Sequence, residues 1–223
     1  MINLEVSVPE EGVVTITLNR PAKKNALSIA LRDEMVDTLA DLAENEGVSC
    51  VVVTGAGDTF CAGFDLGEFN VADIEFQKEL WVSSDRFHHA LLRFPLPLIA
   101  AINGPALAGG FDLAVVCDLR IASHTARFAH PERSFGDVMY GPLHDLVGGG
   151  IARELCLTGR VVGAHEAREL GLVMQVVAPT ELTAVAQEVA QGIAAFPRSF
   201  TIRTKAKIIE RMAIAPTTMT LDL

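Results

Sequence analysis

The spacing of apolar positions along the chain changes several times, and each change marks an element. Val13-Val14-Thr15-Ile16-Thr17-Leu18 is β-branched and bounded by Gly12 and Asn19-Arg20-Pro21, which predicts a strand entering a loop. Leu31, Met35, Leu39 and Leu42 then recur at steps of four, four and three, one face of a helix, with Ser28 placed to cap it and Gly47 to stop it. Residues 50–54 form a continuous apolar run, as expected of a strand covered on both faces. Residues 98–102 repeat that pattern and lead through Asn103-Gly104-Pro105 into a predicted helix over 109–116. The alternation predicts an α/β core. Between these units, residues 66–93 are polar and aromatic, with helix predicted in the second half.

The pattern weakens further on. Residues 119–122 and 126–129 read as short strands, and 148–157 and 165–170 as helices, the second ended by Gly171. Residues 181–195 carry Leu182, Val185, Val189 and Ile193 on one side, and Pro197 opens a basic helix with Arg198, Arg203, Lys205, Lys207 and Arg211. Residues 217–223 show no pattern, and no internal repeat is evident.

Composition narrows the function classes. Half of the 223 residues are apolar and 21% are charged, so the chain can bury a full core. Eighteen Lys+Arg against 28 Asp+Glu leave a formal charge of −10, a field that repels nucleic acid and anionic membranes. The four cysteines, Cys50, Cys61, Cys117 and Cys156, form no CxxC pair, which argues against a zinc ribbon or a redox dithiol, and no metal site is expected. The N-terminus lacks the basic and apolar regions of a signal peptide, and the longest uncharged run, 95–111, is broken by prolines and too short to span a bilayer. A cytoplasmic, reducing setting is the expectation.

Two glycine-rich turns carry the chemistry. The first is Thr54-Gly55-Ala56-Gly57-Asp58-Thr59-Phe60-Cys61-Ala62-Gly63-Phe64-Asp65-Leu66, and the second Asn103-Gly104-Pro105-Ala106-Leu107-Ala108-Gly109-Gly110-Phe111-Asp112-Leu113. Each follows a strand, and the second launches a helix whose first N–H groups are unpaired. Converging, two such turns can hold an oxyanion between backbone donors; singly, each reads equally as a strand-to-helix connection. The spacing matches neither GxGxxG nor a Walker A loop.

With these turns stand Leu18-Asn19-Arg20-Pro21, Asn25-Ala26-Leu27, Ile99-Ala100-Ala101-Ile102-Asn103-Gly104, Cys117-Asp118, Phe128-Ala129-His130-Pro131-Glu132, Leu157-Thr158-Gly159 and Gly171-Leu172-Val173. In this order the chain resembles the enoyl-CoA hydratase/isomerase (crotonase) superfamily from about residue 4 to 207. The resemblance implies an α/β spiral of repeated ββα units, with a core over 1–196 and a shortened helical C-terminal segment over 197–223. It also implies a homotrimer or dimer of trimers, and an acyl thioester of coenzyme A as substrate. No cofactor beyond that coenzyme A is implied.

Carried over residue by residue, the resemblance gives the oxyanion hole to the N–H groups of Phe64 and Gly109. It gives the coenzyme A channel to Asp65, Leu66 and Gly67, and acid/base work to Glu132 and Asp112. Arg20, Lys23 and Lys24 form a basic cluster suited to the coenzyme's phosphates or, equally, to solvent. Two carboxylates can activate one water between them, one as base and one as acid. Hydration or double-bond isomerisation of an enoyl-CoA through an enolate is the expected reaction. The alternatives are a non-catalytic acyl-CoA carrier, thioester hydrolysis and dehalogenation.

Two departures and one further histidine bear on that reading. Asp112 stands where hydratases of the family carry a glutamate, one methylene longer. The segment Gly136-Asp137-Val138-Met139-Tyr140-Gly141-Pro142-Leu143-His144 replaces a glycine-rich stretch that shapes the acyl pocket, and it offers Asp137, Tyr140 and His144 as further polar groups. His89, in the pair His88-His89, aligns with the base of a family dehalogenase, although a surface histidine is the plainer reading and that enzyme's nucleophilic aspartate has no counterpart here, its aligned position falling near Tyr140.

Overall fold

A computed structural model describes residues 3–134 and 136–223. Met1 and Ile2, the start of the N-terminal segment considered above, lie outside them.

In chain order the elements are β1 (Leu4–Val6), β2 (Val13–Leu18), α1 (Ile29–Glu44), β3 (Cys50–Gly55), α2 (Leu66–Phe69), α3 (Ile74–Leu92), β4 (Leu98–Ile102), β5 (Ala106–Leu107) and α4 (Gly109–Val116). Then come β6 (Leu119–Ser123), β7 (Arg127–Ala129), α5 (Gly141–Thr158), β8 (Val162–Gly163), α6 (Ala164–Glu169), β9 (Gln175–Val177), α7 (Leu182–Ala194) and α8 (Arg198–Met212). Ser28 caps α1, accepting from the Leu31 N–H at 3.2 Å, and Leu31, Met35, Leu39 and Leu42 are all buried.

The larger sheet runs β1-β2-β3-β4-β6-β9, antiparallel only between β1 and β2. Both of its faces are covered, which accounts for the unbroken apolar strands. Val51 and Val53 point into the main core, while Cys50, Val52, Ile99, Ala101 and Ile121 pack under Leu182, Ala186 and Ala190 of α7. The smaller sheet is β5-β7-β8, and single parallel bridges from Leu27 to Phe64 and from Cys61 to Ala106 extend its row.

These bridges reveal the repeat. Four times the chain lays a long strand in the large sheet, makes a short pairing across it and leaves in a helix: β2, Leu27, α1; β3, Cys61, α2–α3; β4, β5, α4; β6, β7, α5. This is a ββα spiral. The repeat is one of backbone path, and the short pairings are too brief to leave a periodic apolar signature.

The predicted helix over 148–157 is the second part of α5, which begins at Gly141. Pro142 sits in the first turn, where its missing N–H costs nothing. Gly148 has φ +76° and ψ 158°, so the helix is kinked there. Helix α3 fills more of 66–93 than expected, starting at Ile74 with Asp73 as its cap (accepting from Phe76 N–H at 2.8 Å). Helix α8 is docked by buried Lys205, whose ammonium pairs with Asp118 between α4 and β6. Among the described residues no helix is long and apolar enough to cross a membrane.

Candidate active site

The first glycine-rich turn is pressed against the second. Gly63, at φ +88°, lies so close that a Cβ on it would stand 2.7 Å from the Cβ of Ala108 and 3.1 Å from the amide nitrogen of Gly109. A Cβ on Gly110 would meet the Cys61 carbonyl oxygen at 2.2 Å. The turns are sewn together by Leu107 N–H to the Cys61 carbonyl at 2.9 Å and Phe60 N–H to the Pro105 carbonyl at 3.1 Å. Ala108, at φ 51° and ψ −132°, is a non-glycine residue in a region costing on the order of 1–3 kcal/mol. That strain turns the chain sharply from β5 into α4. The N–H groups of Phe64 and Gly109 have no acceptor among the described residues, and both residues line one cavity.

The cavity measures about 410 Å³. Its apolar wall is an aromatic cluster in which Trp81 lies 5.9 Å from Phe64 and 6.3 Å from Phe69, ring centre to ring centre, completed by Leu66, Met139 and Leu221. The buried Arg32 guanidinium stacks on Phe64 at 4.5 Å, held by the Ser83 hydroxyl and the Leu80 carbonyl, and burial pushes its pKa down to about 10.

The polar wall holds both expected carboxylates. Asp112 is in the first turn of α4 and Glu132 in the 3-10 turn Pro131–Ser134 after β7. Between them sits His130, whose Nδ1 is 2.8 Å from Glu132 Oε1 and 3.8 Å from Asp112 Oδ1. Burial, with the Glu132 charge adding to it and His130 opposing, lifts the Asp112 pKa from 3.8 to about 7. Burial works to lower that of His130, but the Glu132 hydrogen bond and both carboxylate charges outweigh it and the net direction is up. The three side chains bring ligand-type atoms within 4.8 Å of one another. The imidazole nitrogen facing the carboxylates is engaged with Glu132.

The other expected residues divide. Leu66 lines the cavity. Asp65 and Gly67 stand beside it, but the Asp65 carboxylate is occupied, capping α2 through the Gly67 N–H at 3.0 Å and pairing with Arg20 at 2.9 Å. Arg20 is thereby committed to holding the turn. Lys23 and Lys24 are exposed next to it, and the Lys24 carbonyl takes the N–H of the cavity residue Ala62 at 3.0 Å. Asp137 lines the cavity, whereas Tyr140 and His144 stack on each other at 5.5 Å outside its lining.

It is His88, not His89, that enters the wall. His89 Nε2 bonds the Thr218 carbonyl at 2.7 Å. The His88 Nδ1–H donates to the Ser84 carbonyl at 2.9 Å, and burial pushes its pKa down to about 4, so the ring is neutral. Sequence reasoning also passed over the tail. Thr220 and Leu221 close one side of the cavity, fixed by Asp85, which accepts from the Thr220 N–H at 2.7 Å and its hydroxyl at 2.8 Å. Nothing in the apolar pattern of residues 217–223 signals this. His130 stood in a quoted motif, and its place between two acids was the available signal.

Residues 9–219 match the family model described as enoyl-CoA hydratase/isomerase. The chain belongs to this family. It is 37% identical to the short-chain-enoyl-CoA hydratase of Clostridium acetobutylicum over 84% of this chain and 74% of that one. It is 35% identical to 4-chlorobenzoyl coenzyme A dehalogenase-2 of an Arthrobacter species, over 90% and 75% respectively. The crystal structure of an enoyl-CoA hydratase from Bacillus anthracis superposes with a TM-score of 0.90 at 35% identity, covering 96% of this chain and 85% of that one. The crotonase fold, with its turns stacked as described, is therefore the frame of the site.

Proposed function

We propose that this chain is an enzyme that adds water across the double bond of an enoyl-CoA. The observation that carries the reading is that two unpaired backbone N–H groups and two carboxyl groups, one of them the Asp112 carboxyl with its pKa raised by burial, line one apolar-walled cavity. A thioester oxygen between the Phe64 and Gly109 N–H groups polarises the conjugated double bond. Losing one donor of this kind costs about 3–4 kcal/mol of transition-state stabilisation.

Glu132 takes a proton from water as its oxygen bonds to C3, and the π pair moves into an enolate held by the two N–H groups. C2 then takes the proton of Asp112, whose raised pKa keeps part of its carboxyl protonated at neutral pH. Glu132 ends protonated and Asp112 ionised, and proton transfer between them restores the start. The apolar wall takes the acyl chain, and the coenzyme runs out past Asp65–Gly67 toward Lys23 and Lys24.

Isomerisation is the second reading, favoured by the short reach of Asp112, because a single carboxylate suffices to move a proton between carbons. Incubation with crotonyl-CoA and with a 3-enoyl-CoA, read by mass and by ultraviolet absorbance, tests both. Hydration adds one water to crotonyl-CoA and removes its conjugation. Isomerisation leaves mass unchanged and creates conjugation in the 3-enoyl substrate. No change in either overturns both readings and leaves an acyl-CoA carrier.

A further inference from the structure

Glu132 has two inequivalent oxygens: Oε1 accepts from His130 Nδ1 at 2.8 Å, while Oε2 is buried with no partner among the described residues. The imidazole that makes this distinction is itself immobilised. It is 1% exposed and stacks on Phe111, ring centres 4.7 Å apart and planes 34° apart. Phe111 precedes Asp112 on α4, and Ala108, which starts that helix, donates its N–H to the Ala129 carbonyl at 3.0 Å. The ring is thus clamped between the turn that carries Asp112 and the turn that carries Glu132. Pro131, between His130 and Glu132, stiffens the link further.

We propose that His130 is the positioning residue of the site, holding Glu132 by Oε1 so that Oε2 alone exchanges the proton with substrate. The inference rests on the acid/base reading of Glu132. A carboxylate with one oxygen anchored has already given up its rotamer freedom before the reaction, so little remains to be lost as the proton moves. The charged groups acting on the ring are Asp112 from α4 and Glu132 from the 3-10 turn, and both carboxylates also act on the Cys156 thiol of α5. That thiol stays neutral, pushed up to about 11 by burial and by the two acids.

The test uses variants graded by what they keep. His130→Phe keeps a ring to stack on Phe111 but has no donor. His130→Asn places an amide nitrogen close to where Nδ1 stands, and His130→Leu has the same shape without it. With whichever of crotonyl-CoA and the 3-enoyl-CoA the enzyme turns over, His130→Phe should lower kcat by about 10–100-fold, the worth of a hydrogen bond to a charged group, with KM little changed. The acid limb of its kcat–pH profile should move to higher pH, which a purely structural role would not produce. His130→Asn should recover most of the rate and His130→Leu should not, a comparison that decides the matter if the Phe variant fails to fold. A His130→Phe or His130→Leu enzyme with parental kcat and pH profile, alongside an inactive Glu132→Gln, overturns the proposal while leaving the reaction intact. An active Glu132→Gln overturns both.

Discussion

Gly63 and Ala108 face each other across the two glycine-rich turns with no room for a further carbon atom: a Cβ on Gly63 would lie 2.7 Å from that of Ala108. The contact brings Phe64 and Gly109 to one point, so the spacing of their N–H groups is set by this packing together with the hydrogen bonds between the two turns. Gly63→Ala must both adopt φ +88° and displace the second turn. The expected loss is about 2–4 kcal/mol of stability, from strain and overpacking together, and turnover should fall more steeply than unfolding explains. Urea unfolding and kcat on the same preparation check it. An alanine variant of unchanged activity removes the close approach from the account of the site.

Asp112 should leave a mark on stability against pH. A buried acid whose pKa is lifted from 3.8 to about 7 favours the folded state most when both states are protonated, and that contribution is lost as pH rises from 3.8 to about 7. Asp112→Asn removes the titration. Its stability relative to the parent should therefore climb by a few kcal/mol over that window and level off above it. Unfolding midpoints of the two proteins between pH 4 and 8 give the comparison, and parallel curves would contradict the assigned shift.

Trp81 is the single tryptophan of the chain and stands in the cavity wall against Phe64 and Phe69. Its emission should change when a short enoyl-CoA binds and stay close to its starting value with coenzyme A alone, because only the acyl end reaches the aromatic cluster. Equal responses to both ligands would move the acyl group elsewhere.

Asp85 ties the tail to α3 through two hydrogen bonds from Thr220. Asp85→Ala should free Thr220 and Leu221 from the cavity, at a cost of about 1.5–3 kcal/mol for the lost charged acceptor. KM should rise several-fold with kcat less affected. Steady-state kinetics on parent and variant decide it, and an unchanged KM would make the tail a bystander.

Much of this was legible in the sequence because local rules and burial agreed. Ser28, the Leu31–Met35–Leu39–Leu42 face and the apolar run at β3 each carry a short-range signal, and all three fold as read. The turns were legible as turns, and family resemblance brought Phe64, Gly109, Asp112 and Glu132 to one site, where the cavity does gather them. What was missed depends on distant partners. The helix read over 148–157 starts earlier, at Gly141, and is kinked at Gly148. The histidine in the wall proved to be its neighbour, because adjacent helical positions point about 100° apart and one-residue alignment cannot choose between them. The tail has no periodicity, since its place is set by Asp85 and by the Leu223 carbonyl receiving the Gly141 N–H at 2.5 Å.

Successive coils of the chain each contribute from the same station, just past the short pairing: Phe64 from one, Gly109 and Asp112 from the next, Glu132 from the one after. The reactive groups are thus read off a ladder whose rungs are spaced by backbone hydrogen bonding, roughly 4.8 Å apart. Lengthening or trimming a helix on the outside of a coil leaves that ruler untouched, whereas slipping a short strand by one register would pull acid and oxyanion donors out of step. A scaffold of this kind lets its outer segments reshape the chamber for different acyl groups while the reacting frame keeps its pitch.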